Sequence, residues 1–238
     1  MKAIRLSFFQ LLKFVSKDKM LLAALLAPLL AGSAIRFGVP FTESILTHVT
    51  ALPAILSPYY GLFDIFFSSI TPAMFCFIAS MVMLEERDDH IDRYLFVTGL
   101  GQNGYFVSRI VIPALVAFLV TAAFLPVFRL TALSLWSILW LSLTGSLQGI
   151  IIALLIVTKS SNKLEGMAIT KLSSLMMLGA VTPYFVPAPV CFCFSFLPSF
   201  WVGMAVYETN LVYILPSVLV AGIWILAFRR SLDIFSIM

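Results

Sequence analysis

Residues Ile65–Leu84 run IFFSSITPAMFCFIASMVML, twenty positions without a formal charge, between Asp64 and the highly charged Glu85-Glu86-Arg87-Asp88-Asp89-His90-Ile91-Asp92-Arg93. A helix that crosses the hydrocarbon core of a bilayer needs about 20 mainly apolar residues. Ile65–Leu84 meets that length, and the charged run that follows marks where the chain returns to water. Further uncharged stretches are Met20–Ile35, Ile110–Phe128, Leu130–Thr158, Leu172–Tyr207 and Thr209–Phe228. The first is short, but Arg36 can extend it by snorkelling outward. The stretch 172–207 holds Pro183, Pro187, Pro189 and Pro198, which predict a helix over 168–186 followed by a broken segment that dips into the membrane. Ser44–Phe63 is also uncharged, but His48, Pro53 and Pro58 mark it as an outer loop rather than a further span.

The expected fold is therefore an all-α, polytopic membrane protein with six transmembrane helices at about 20–37, 62–84, 105–128, 132–158, 168–186 and 209–228. Composition agrees: of 238 residues 61% are hydrophobic and 11% charged, with mean hydropathy +1.07. A water-soluble domain carries about 45–50% apolar and about 25% charged residues. An ordinary soluble enzyme, a disordered regulator and a disulfide scaffold are excluded. The net charge of +4 lies beside the apolar runs, which indicates anionic lipid rather than nucleic acid. With six spans, thirteen of the fifteen Lys and Arg fall on one side and only Arg36 and Arg129 on the other. Basic loops stay in the cytoplasm, so both termini are expected there. Residues 1–19 form a leader in which Ile4, Phe8, Leu11, Leu12 and Val15 share a helical face, as in an amphipathic helix lying on the inner leaflet. Residues 20–238 form the membrane domain.

Chemistry is sparse. No phosphate-loop, H-E-x-x-H, C-x-x-C or G-x-S-x-G motif occurs. Cys76, Cys191 and Cys193 suit apolar packing, and His48 and His90 fall on opposite sides of the membrane. No metal ligand set, catalytic residue or cofactor is assigned to this chain. Ionisable residues are nearly missing from the spans, which argues against an ion-coupled carrier. Span four carries Ser142, Gly145, Ser146, Gln148 and Gly149, small and polar positions that suit either a dimer or pathway face or packing within one bundle. The charged run 85–93 places Glu85, Asp88, Asp89 and Asp92 on one face if helical, and is a solvated turn or a docking surface.

The six-span layout, the basic leader and this loop together resemble the permease subunit of a type-2 ABC exporter, similar to drug and antibiotic export permeases. The resemblance rests on Glu86-Arg87, followed by the apolar Leu95-Phe96-Val97 and the Thr98-Gly99 turn, then Tyr105 and Arg109 opening the third span. Asp88-Asp89 stand where that family usually has a glycine. The broken segment Val186–Val206 matches the family's hydrophobic outer segment. The resemblance implies a permease in the plasma membrane of a bacterium that works as a dimer with itself or a paralogous permease. A separate ATPase subunit would then carry ATP and Mg. Its coupling segment would comprise Glu85, Glu86, Arg87, Asp88, Asp89, Asp92, Arg93, Tyr94, Leu95 and Phe96, with Tyr94, Leu95 and Phe96 filling a groove on the ATPase. Two alternatives are a lipid-modifying enzyme using the carboxylates with a metal, and a substrate-capture subunit of an importer.

Overall fold

The computed structural model describes residues 2–235; Met1 and the last three residues of the predicted 20–238 domain lie outside the described residues. The elements are α1 (Lys2–Val15), α2 (Lys19–Thr50), α3 (Tyr60–Asp88), α4 (Ile91–Val97), α5 (Gly101–Phe128), α6 (Leu135–Lys159), α7 (Lys163–Ser173), α8 (Pro198–Tyr207) and α9 (Ile214–Phe235). The fold is all-helical. Five helices are long and apolar enough to cross a membrane: α2, α3 with the turn before it, α5, α6 and the first part of α9. The chain is a multi-pass membrane protein.

At the centre stand α3 and α6, with 67% and 78% of their most apolar windows buried, against 17% for α2 and for α9. Their approach has a chemical cause. Pro72 inside α3 has no N–H to return to the Ser68 carbonyl four residues back. Gly145 of α6 presses against that same carbonyl, so a Cβ there would lie 2.2 Å from its oxygen. One turn on, a Cβ at Gly149 would meet the Pro72 carbonyl oxygen at 2.9 Å. On the next face the Ser146 hydroxyl donates to the Ala114 carbonyl of α5 at 2.8 Å. Ser142, Gly145, Ser146, Gln148 and Gly149 are all buried within this one chain. Within this chain they pack α6 against α3 and α5.

Two spans differ from expectation. The first does not stop near residue 37: α2 continues to Thr50, so much of the predicted outer loop is helix. The two prolines that suggested a loop, Pro53 and Pro58, follow the helix. The turn is drawn back by Glu43, whose carboxylate accepts the N–H groups of Ile55 and Leu56 at 3.0 and 2.6 Å and the Ser57 hydroxyl at 3.0 Å. The predicted span 168–186 is not one α-helix. It is α7, a 3₁₀ stretch at Ser174–Ala180 and one helical turn at Thr182–Phe185. The tightening follows from contact with α8. A Cβ at Gly179 would lie 2.4 Å from the Ser199 hydroxyl, and one at Gly203 would lie 2.6 Å from the Ala180 carbonyl oxygen. The Ser199 hydroxyl in turn donates to the Met176 carbonyl. This run starts with Lys163 beside Glu85 and ends with Tyr184 beside Gly61, so it follows α3 from one end to the other.

The irregular segment beyond it packs on protein. Its carbonyls are taken by the Trp201 indole N–H on Ser195 (2.8 Å), the Trp224 indole N–H on Phe196 (2.9 Å) and the Ser217 hydroxyl on Pro198 (3.1 Å). In hydrocarbon an unmet carbonyl costs several kcal/mol, roughly, so such a segment persists only where protein supplies donors.

Candidate functional site at the basic end of the bundle

One end of the bundle gathers the end of α1, the end of α3, α4, the start of α5, the end of α6 and the start of α7. The region depends on where α3 ends. The helix continues through Glu85, Glu86, Arg87 and Asp88, and His90 then adopts a left-handed φ of 58° and reverses the chain. The four carboxylates are therefore not on one face, because Asp92 belongs to a separate helix, α4. Each of the others has its own surroundings. Glu85 meets a lysine, and Asp88 and Asp89 are exposed; Glu86, which is not one of the four, is turned inward.

Glu86, 7% exposed, is the hub. Its carboxylate accepts two bonds from the Arg109 guanidinium, Nε at 3.0 Å and Nη2 at 2.5 Å, and a third from the Tyr105 hydroxyl at 2.8 Å. Arg109 is 1% exposed, and its remaining Nη1 donates to the Ser7 carbonyl of α1 at 2.6 Å. The hydroxyls of Ser7 and Ser108 sit 3.0 Å apart beside it. A buried guanidinium is tolerable only with its donors met, and here α3 and α1 meet them. What aims Arg109 inward is a π turn, Val107–Val111, in α5. Pro113 cannot supply the N–H that would close the α-helical bond to Arg109, and the turn widens. The same pattern recurs in α2, where a π turn at Ala34–Gly38 precedes Pro40, four residues beyond Arg36.

A second set of charges lies nearer water. The Lys163 ammonium donates to Glu85 at 2.6 Å and to Asp18 at 3.2 Å. Asp18 also caps α2, accepting the Met20 N–H at 2.8 Å. Partial burial favours the neutral form of Asp18, but the Lys163 ammonium and the two cap amides outweigh it and hold the carboxyl below its ordinary range. Lys163 likewise is desolvated, yet Glu85 and Asp18 raise its pKa. Arg87 donates to the Val157 and Ser160 carbonyls at 3.1 and 3.0 Å, which complements the negative end of α6.

The short helix α4 rests on this framework. Leu95 and Phe96 face inward, and Phe96 meets the Tyr105 ring edge-on at 5.2 Å. The expected trio of groove-filling side chains is thus divided. Only Tyr94 points out, 74% exposed, flanked by Ile91 at 40% and Val97 at 87%. Gly101, with a left-handed φ of 63°, then turns the chain into α5. The leader α1 docks on the bundle through Ser7, Leu11 and Val15 and leaves Leu6, Phe9 and Leu12 exposed. Leu11 and Val15, from the face expected on the leaflet, thus pack on the bundle instead, and Leu12, expected beside them, stays exposed.

Sequence reasoning placed Glu86 and Arg87 in the site but missed Ser7, Asp18, Lys163 and the pairing of Arg109. A signal existed for Arg109. It directly precedes a nineteen-residue apolar stretch, and a cation at such a depth must find an anion nearby. Among the described residues no group of three His, Cys, Asp or Glu side chains could hold a metal ion.

The fold is that of a multi-pass helical membrane protein in which one buried ion pair ties the leader, α3 and α5 together. The chain belongs to the family described as fluoroquinolones export permease protein Rv2686c-like, whose profile matches residues 12–229, and so it is an export permease subunit of the ABC type. No curated protein and no solved structure matches it.

Proposed function

We propose that the chain is the membrane half of an ATP-driven exporter, and that α4 is the element on which a separate ATPase chain pushes. The observation that carries this is the division of α4. Ile91, Tyr94 and Val97 form an exposed row on one side of α4, while Phe96 and Leu95 on the opposite side bear on Tyr105 and through it on Glu86. A force on the outer row would reach the ends of α3 and α5 together. ATP and Mg would sit on the ATPase. A second copy or a paralogous permease would complete the pathway, in the plasma membrane of a bacterium with the basic end in the cytoplasm. Lys163–Phe185 would then serve as the sixth crossing. Fluoroquinolones, the cargo in the family description, are the first class to test.

The enzyme alternative gains nothing, since Glu85 and Glu86 are engaged with Lys163 and Arg109. The test is affinity capture of the tagged chain with its ATPase, followed by ATP hydrolysis and drug efflux. Val97→Asp puts a charge in the centre of an apolar contact and should lower ATPase recovery at least about tenfold, the cost of an unpaired buried charge in an interface. Phe96→Ala should leave recovery near the parent but reduce efflux per ATP hydrolysed. If Val97→Asp retains the ATPase fully, α4 is not the docking element.

A further inference from the structure

Helices α5 and α9 both pack on α6, and between them at the basic end they leave a cleft of about 240 Å³. Ile150 and Leu154 of α6 form its floor, and Val107 of the π turn forms part of its rim. Its polar groups are Gln102, Asn103 and Arg229, and among the described residues no carboxylate lines it. Two of its apolar lining residues on α5 are exposed, Val107 at 37% and Val111 at 47%, so the cleft opens at an apolar surface.

We propose that this cleft holds an anionic phospholipid of the leaflet at the basic end, with its phosphate on Arg229, Gln102 and Asn103 and the upper part of one acyl chain over Ile150 and Leu154. Three features favour a lipid as occupant. Polar residues lie where the apolar parts of α5 and α9 end, at the level of headgroups, and apolar ones lie deeper. The entrance is lateral, from the bilayer. The charge at the mouth is a cation with two carboxamides, which matches a phosphodiester and offers nothing to a cationic headgroup. The assignment does not rest on the export proposal. It also gives the π turn two occupied sides, Arg109 on Glu86 inward and lipid outward.

The test reconstitutes the full chain in vesicles of phosphatidylcholine carrying trace spin-labelled phosphatidylglycerol or spin-labelled phosphatidylcholine, and reads the immobilised fraction. The parent should prefer phosphatidylglycerol about fivefold, the selectivity that one basic residue at a membrane surface supplies. Arg229→Gln should bring the ratio close to one. Lys13→Gln removes an exposed charge at the same end of the bundle and should leave it unchanged. Val107→Trp should block the rim and lower immobilisation of both lipids. Thermal midpoints in neutral lipid check that each variant is folded. A parent without headgroup preference, or an Arg229→Gln protein that keeps it, overturns the proposal. So does a cleft that ignores phosphatidylglycerol but binds 2-naphthoate in an Arg229-dependent way, which would make it a cargo site.

Discussion

The two ends of the bundle use the same residue types for different purposes. At the basic end, acids and bases pair with each other between elements: Glu86 with Arg109, and Glu85 and Asp18 with Lys163. At the opposite end, they close loops by bonding to backbone. Asp64, 1% exposed, accepts the N–H groups of Leu130 and Thr131 at 2.8 and 3.0 Å, together with the Thr131 hydroxyl. Glu43 binds the turn after α2 in the same manner, Arg36 donates to the Arg129 carbonyl at 2.8 Å, and Arg129 donates to the Leu133 carbonyl. A side chain bonded to the backbone of one loop holds that loop against the helix that carries the side chain. A side chain bonded to another across three helices makes their positions depend on each other. The basic end is built to share a displacement, the opposite end to resist one.

Removing one partner at each end tests the difference most severely. Arg109→Ala leaves Glu86 buried and unpaired and also frees Ser7, so the cost should be about 3–5 kcal/mol, the usual range for half of a buried pair. Asp64→Ala strands donors in a loop that water can reach, at about 1–3 kcal/mol. Thermal unfolding in detergent gives the order. The double replacement Glu86→Leu with Arg109→Met should recover much of the stability, since paired charges are often no better than apolar groups of like size. It should still weaken the protection of α1 from protease, because the Arg109 bond to the Ser7 carbonyl is gone. Equal losses at the two ends, with α1 protected throughout, would break the contrast.

How far this division was legible in the sequence differs between fold and site. Long uncharged stretches specify where helices run, because burying a backbone in lipid admits little else. Hence α3, α5, α6 and α9 lie close to their expected bounds. What failed was local. Pro53 and Pro58 do lie in the turn after α2, but Pro40 and Pro113 act within helices by widening a turn, and no periodicity records that. The run 168–186 has the length and apolarity of a span, and only its contact with Ser199 and Gly203 tightens it into 3₁₀ form. Within the site, Glu86-Arg87 was legible as a pair of charges but not as a pair facing opposite ways. Glu86 turns toward Arg109 twenty-three positions later and Arg87 toward the end of α6. Such pairings are tertiary, and spacing in one helix does not encode them.

Between the two ends lies the crossing of α3 and α6, and a smaller effect is expected there. Gly145→Ala forces a methyl to 2.2 Å from the Ser68 carbonyl oxygen, so the helices must separate. Overpacking of this kind costs about 1–3 kcal/mol. The useful reading is which end loosens. If the basic end shares displacement, hydrogen exchange should rise in α1 and α4 more than in the turn 51–56. A rise limited to 51–56, or none in α4, would place the flexible end on the other side.

The smallest effect concerns the Lys163 triad, which is partly exposed and screened. Lys163→Ala should cost about 0–1 kcal/mol, the range for pairs in contact with water. Its pH dependence has a fixed sign at each edge. The Asp18 carboxyl is held below its ordinary value, so its contribution is complete above about pH 4 and disappears as pH falls through the lowered pKa. The Lys163 pKa is raised, so its contribution is complete below about pH 10.4 and is lost as pH rises through the raised value. Between these limits Asp18 and Lys163 both stay charged and the hold of Asp18 on α7 should be flat. Cleavage after Lys13 and Lys17 by an added protease, followed from pH 5 to 9, should therefore show no change in the fraction of exposed leader once the protease's own pH profile is divided out. Asp18→Asn should raise that fraction by the same small factor at every pH in the window. A parent whose leader opens between pH 6 and 8 would require a group titrating there. The triad would then not be what closes the leader against the bundle, and the buried Arg109–Ser7 bond would have to carry that contact alone.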